Sequence, residues 1–171
     1  DIKALISTST DKKYDAKLLK SVDQVNDLQK QVLAQKISNH FKNKLSGKTF
    51  GVWGLAFKPN TDDVRYAPSI SLVDYLLAKK AIVKAYDPIA SIRNNLKSKT
   101  KHYTEVNTSL DALNDIDALI ICTEWKEFWS IDINMFLKKM RNPVIFDGRN
   151  IYSPQKMKDC DIVYYGIGRR S

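Results

Sequence analysis

Residues Gly51 to Arg65 read GVWGLAFKPNTDDVR, an apolar run that breaks into glycine and then into a dense patch of cation, turn and carboxylate. A buried strand that delivers a ligand loop has this form. Thr49 to Trp53 has the length and the β-branched and aromatic content of such a strand, and Gly54 ends it where the backbone passes close to another group. Pro59, with its fixed φ and missing donor, stops the strand from continuing. Asn60 to Asp63 offer side chains that bond their own backbone, and Ala67-Pro68-Ser69 opens a helical pattern through Ile70, Leu72, Val73, Leu76 and Leu77.

Downstream the same alternation repeats. Ala81 to Tyr86 is predicted as a second strand ending in Asp87-Pro88, Ile92 to Leu96 as a short helix, and His102 to Val106 as a weaker third strand. Leu110 to Leu113 is predicted helical, Ala118 to Cys122 a fully buried strand, Ile133 to Met140 a helix, Pro143 to Asp147 a strand, and Ile162 to Tyr165 the last strand. Strand and helix in steady alternation predict an α/β fold, a Rossmann-like doubly wound parallel sheet of about six strands with right-handed crossovers. Ligands on such sheets bind at the carboxyl ends of the strands, near the switch in strand order. Those ends carry Lys58, Asp87, Thr123-Glu124-Trp125 and Asp147-Gly148-Arg149.

Upstream, Asp1 to Ser7 is read as the end of a helix or turn, and Thr8 to Asp11 as a loop of capping residues. Leu18, Val22, Val25, Leu28, Val32, Ile37, Phe41 and Leu45 then step mostly by threes and fours, with Gly47 as a left-handed stop. Some thirty residues at 1.5 Å each predict a rod of roughly 45 Å, too long for one small domain to cover. Part of its apolar stripe should meet another domain or subunit, while its second half packs under the sheet.

The 171 residues are enough to bury one real core, and 43% hydrophobic with 27% charged residues is the balance of a soluble globular chain. No apolar stretch approaches ~20 residues and no basic-then-apolar leader opens the chain, so neither a membrane span nor a signal peptide is expected. Cys122 and Cys160 have no metal or redox spacing and neither His40 nor His102 has a partner for one, so no metal is expected and a reduced, cytoplasmic setting is the default. A net charge of +9 invites a polyanion. The lysines are scattered over helical faces and loops without a recognition-module pattern, which argues against nucleic acid.

The Gly51–Arg65 segment resembles the GLAFKPxTDDxR stretch of the UDP-glucose and GDP-mannose dehydrogenase family. Asp1-Ile2-Lys3-Ala4-Leu5-Ile6, Val25-Asn26 with Gln29, Ala85-Tyr86-Asp87-Pro88, Thr123-Glu124-Trp125 and Phe146-Asp147-Gly148-Arg149-Asn150 resemble further family segments, in the family's order. The family's GxGxxG dinucleotide domain and nucleophilic cysteine are absent from this sequence, so it looks like a carboxyl-terminal part. The resemblance implies a central helical linker and dimerisation segment over 1–46 and a Rossmann-like UDP-sugar-binding domain over 47–171. It implies a homodimer through the long helix, and NAD as cofactor. It implies oxidation of a nucleotide sugar, UDP-glucose by the look of TDDVR and FDGRN, from the C6 alcohol to the carboxylate through a cysteine thioester. This chain alone should then catalyse nothing. A related GDP-mannose or UDP-N-acetylhexosamine enzyme, or a stand-alone nucleotide-binding module, is the alternative.

The same resemblance assigns Asp1 to proton handling in hydrolysis, Phe57, Lys58 and Arg149 to the UDP-sugar, and Arg65 to NAD. A sheet whose phosphate recognition moves from helix amides to Lys58 and Arg149 suits a diphosphate, which needs charge-assisted donors. Plainer readings stand beside these. Lys58 can be a solvated loop lysine, Arg149 a partner of Asp147 or Asp62, Phe57 a core residue, and Arg65 a partner of Asp62 or Asp63. Asp87 has the place of an acid on a dinucleotide ribose or of a turn residue after a strand. Trp125 and Trp129 read as packing.

Overall fold

The computed structural model describes residues 2–97 and 100–169. Two helices, α1 (Ile2–Asp11) and α2 (Lys17–His40), precede six strands: β1 (Thr49–Trp53), β2 (Ile82–Tyr86), β3 (Tyr103–Glu105), β4 (Ala118–Ile121), β5 (Val144–Asp147) and β6 (Val163–Gly166). Between them lie α3 (Pro68–Ala78), a 3-10 turn (Asp111–Leu113), α4 (Lys126–Trp129), α5 (Ile133–Lys139) and α6 (Pro154–Asp159). All pairings are parallel and the order is β3-β2-β1-β4-β5-β6. The predicted doubly wound sheet is therefore present, and its order reverses between β1 and β4.

β1, β4 and β5 are buried at every position, as strands covered on both faces must be. One face packs Phe50, Val52, Leu72, Val73, Leu76, Ile120 and Phe146 into a core that also takes Leu33 and Ile37 of α2. The other buries Trp53, Ile116, Phe128, Phe136, Ile145 and Met157. Chain contacts divide the molecule into a unit Asp1–Val32 and a unit Leu33–Ser171. In the first, Leu18, Val25 and Leu28 stand 76%, 62% and 59% exposed.

Three local expectations need correction. Thr8 to Asp11 is the last turn of α1, because the Ser9 and Thr10 hydroxyls donate back to the Leu5 and Ile6 carbonyls instead of capping. The long helix stops at His40, where Asn43 N–H donates to Ser38 O with Lys42 and Asn43 left-handed. Leu45 is buried from the following loop, so it continued the apolar spacing without continuing the helix. Ile92 to Leu96 is a turn and not an α-helix: Asn95 N–H donates to Ile92 O, three residues back, while Glu105 accepts from Ile92 N–H and Asp74 from Lys97 N–H. The short helices α4 and α6 were not anticipated, although Ser153-Pro154 is a fair start signal for α6. Among the described residues no helix is long and apolar enough to cross a membrane.

Candidate functional site at the carboxyl ends of the strands

Gly54 turns the chain out of β1 at φ +82°, so close to the β4 end that an added Cβ would lie 2.6 Å from Thr123 N. Only glycine fits both the left-handed backbone and that approach. The next two residues, Leu55 and Ala56, are then held at every backbone polar group. Asp87 Oδ2 accepts from Leu55 N–H at 2.7 Å and Ala56 N–H at 3.1 Å. The Ser69 hydroxyl donates to Leu55 O at 2.6 Å and the Thr123 hydroxyl to Ala56 O at 2.5 Å. The same Asp87 oxygen accepts the Trp125 indole N–H at 3.0 Å, and Oδ1 accepts from Ile89 and Ala90 N–H. Asp87 is thus a structural organiser that neighbours the site, and the ribose-contact reading loses both oxygens to protein donors.

That clamp delivers Phe57 and Lys58 outward. Phe57 is 49% exposed, which rules out the core reading, and its N–H donates to Asp63 O. Lys58 is exposed beside it, and its charge helps hold the Asp63 carboxyl low. Arg65 is bound by Asp63 through both Nε and Nη2, at 3.0 and 2.8 Å, and this pairing is the main reason the Asp63 pKa falls to about 2.

Arg149 follows β5 at a turn fixed by buried Asp147, whose Oδ1 accepts Arg149 N–H and whose Oδ2 accepts Tyr152 N–H and the Tyr164 hydroxyl. Gly148 permits the turn by passing within bonding distance of Ile121 O. The guanidinium then reaches across the sheet. Nε donates to Cys122 O at 2.8 Å and Nη2 to Phe57 O at 3.3 Å, with Glu124 Oε2 3.0 Å from Nε. Its carboxylate partner is therefore Glu124, and not Asp147 or Asp62. Nε and Nη2 share one edge of the guanidinium, so the edge formed by Nη1 and Nη2 keeps donors available for an oxyanion.

The sequence-predicted residues thus fall into two groups. Phe57, Lys58 and Arg149 are brought to one rim, joined by the Arg149 to Phe57 bond. Arg65 stays latched to Asp63 on the same loop, 82% exposed. Asp1 lies outside the described residues. Glu124, Ser69, Thr123 and Trp125 were not predicted as site supports. Trp125 is buried and Trp129 is 59% exposed, so packing describes only the first. Cys122 is enclosed at the β4 end, and burial pushes its thiol up to about 12.

The turn after β1 lacks the amide site on which a dinucleotide's pyrophosphate usually rests. The amides at a strand-to-helix turn that would cradle a pyrophosphate are, at Leu55 and Ala56, already consumed by Asp87. The turn after β1 therefore offers no amide cradle for the pyrophosphate of NAD.

Residues 51–154 match the UDP binding domain of the UDP-glucose/GDP-mannose dehydrogenase family. The chain is 37% identical over 173 residues to UDP-glucose 6-dehydrogenase of Pseudomonas aeruginosa, covering 99% of this chain and 38% of that protein. It is 38% identical over 172 residues to UDP-glucose 6-dehydrogenase YwqF of Bacillus subtilis, covering 100% of this chain and 38% of that relative. Among solved structures, a UDP-glucose dehydrogenase from the hyperthermophilic archaeon Pyrobaculum islandicum aligns with a TM-score of 0.78 at 26% identity, over 99% of this chain and 36% of that one. The chain thus spans about 38% of the length of the two relatives compared in sequence.

Replacing Asp87 by asparagine keeps the shape but turns an amide N–H₂ towards N–H donors. Asp87→Asn is expected to lower unfolding free energy by about 1.5–3 kcal/mol. Urea unfolding followed by tryptophan fluorescence measures it, and an unchanged midpoint would contradict the organising role.

Proposed function

The chain belongs to the UDP-glucose/GDP-mannose dehydrogenase family, and on that premise we propose that it supplies the UDP-sugar-binding part of an NAD-dependent UDP-glucose 6-dehydrogenase. The observation that carries the reading is the partly exposed guanidinium of Arg149, bonded through Nη2 to Phe57 O on the loop that presents Lys58. Two cations on one strand-end rim suit a nucleoside diphosphate, and Phe57 offers a half-exposed ring beside them. In the whole enzyme UDP-glucose is oxidised at C6 to the carboxylate, by two hydride transfers to NAD through a cysteine thioester. Neither cysteine of this chain suits that role, since Cys122 is buried with a raised pKa and Cys160 lies at the end of α6, outside the rim. The thiolate and the NAD cradle are therefore assigned to the remainder of the enzyme. Arg65 would add one cation to an NAD held mainly there, and Asp1 would handle a proton in thioester hydrolysis. Free thiols fit a reduced, cytoplasmic setting.

Titration calorimetry with UDP at modest salt tests the site. Lys58→Ala and Arg149→Ala are each expected to weaken binding by ~1.5–3 kcal/mol, about ten- to a hundredfold. Equal affinity in both variants and the parent would remove the assignment.

The same reading makes the enzyme a homodimer through the exposed stripe of Leu18, Val25 and Leu28. Sedimentation should show a dimer at micromolar concentration that Val25→Glu or Leu28→Glu shifts to monomer. A strictly monomeric parent chain at high concentration would contradict it.

A further inference from the structure

Thr123-Glu124-Trp125 sits just past β4, on one side of the switch in strand order, and each of its side chains reaches a different strand end. The Thr123 hydroxyl holds Ala56 of the β1 loop, and the Trp125 indole holds Asp87 after β2. The Glu124 carboxylate meets Arg149 after β5. The Thr123 and Trp125 prongs are hydrogen bonds, to a backbone carbonyl and to the Asp87 carboxylate. The middle one is different in kind. Arg149 Nε aims its hydrogen at Cys122 O, so Glu124 Oε2, 3.0 Å from Nε, is paired by charge without a hydrogen bond.

A carboxylate oxygen shut from water and lacking a donor carries a desolvation cost that only the neighbouring cation offsets. Its position beside Nε draws the guanidinium against the β4 end, on the edge opposite to the Nη1 side. Without that pull, Nε keeps its 2.8 Å bond to Cys122 O, but the outer end of the guanidinium rests on the Nη2 contact to Phe57 O, which at 3.3 Å is long for a charged donor. Arg149 and Glu124 side chains keep 32% and 38% of their surface exposed, so a guanidinium held at Nε by Cys122 O alone has solvent for its outer end to turn into.

We infer that Glu124 is a positioning residue, which fixes Arg149 with its Nη1/Nη2 edge turned towards a diphosphate. This rests on the reading of Arg149 as a UDP ligand and adds the residue that orients it. An acidic group near an anion would ordinarily repel it, so the inference makes a prediction of definite sign. If Glu124 acts only through its charge, removing the charge strengthens UDP binding. If it acts by holding Arg149, removing it weakens binding, and only while Arg149 is present.

The test is a double-mutant cycle in the 171-residue chain with UDP as titrant. Glu124→Gln and Glu124→Ala are expected to weaken UDP by about three- to tenfold in the parent, and by less than about twofold in an Arg149→Ala background. Glu124→Asp, which keeps the charge on a shorter stem, should recover part of the loss. Thermal unfolding of each variant separates a folding defect, which would lower affinity in both backgrounds alike. Equal losses in the two backgrounds, no loss, or tighter binding on removal of Glu124 would each overturn the inference. Should Arg149→Ala itself leave UDP affinity unchanged, the UDP-ligand reading fails first and the inference falls with it.

Discussion

Five N–H groups converge on the carboxylate of Asp87, and the shape of the site follows from that convergence. Two of them, from Leu55 and Ala56, belong to the turn after β1, where a Rossmann-like sheet usually leaves amides free for a phosphate. Here the protein's own anion occupies them. The loop gains rigidity, because the Ser69 and Thr123 hydroxyls take the two matching carbonyls and leave no backbone polar group of Leu55 or Ala56 unbound. It loses its amide anion site. A diphosphate bound at this rim must therefore be met by side-chain cations, and Lys58 and Arg149 are the cations that the β1 and β5 ends supply.

Asp147 is the counterpart of Asp87 on the other side of the switch in strand order. Fully buried at the end of β5, it accepts from Arg149 N–H, Tyr152 N–H and the Tyr164 hydroxyl, so the turn that launches Arg149 is as constrained as the turn that launches Lys58. Burial, reinforced by this carboxylate, keeps the Tyr164 hydroxyl protonated as a donor. Both acids act inside the fold and the cations act outside it. The guanidinium of Arg149 then ties β5 to Cys122 after β4 and to Phe57 after β1, joining the two halves of the sheet across the switch.

Much of this fold was legible in the sequence because strands buried on both faces need unbroken apolar runs, and Phe50 to Trp53, Ala118 to Ile121 and Val144 to Phe146 are such runs. The helix end was misread because Phe41 and Leu45 keep apolar spacing while packing from a loop. Thr8 to Asp11 was misread because hydroxyls that can cap a helix can equally bond back into it. At the site, cations and glycines announced themselves by type and position. Their supports did not. A carboxylate such as Glu124 beside a phosphate-binding arginine looks repulsive in a sequence, and the five donors of Asp87 come from three separate segments that only the folded chain brings together.

The central claim is that the carboxyl-end rim around Arg149 and Lys58 binds a nucleoside diphosphate. Amide and Arg Nε–H spectra of the ¹⁵N-labelled chain, recorded as UDP is added, test it most directly. The account predicts shifts concentrated at Phe57, Lys58, Arg149 Nε–H and the Trp125 indole. Shifts concentrated instead at the opposite ends of the strands, around Lys48, Lys80 and Arg141, or none at saturating UDP, would contradict it.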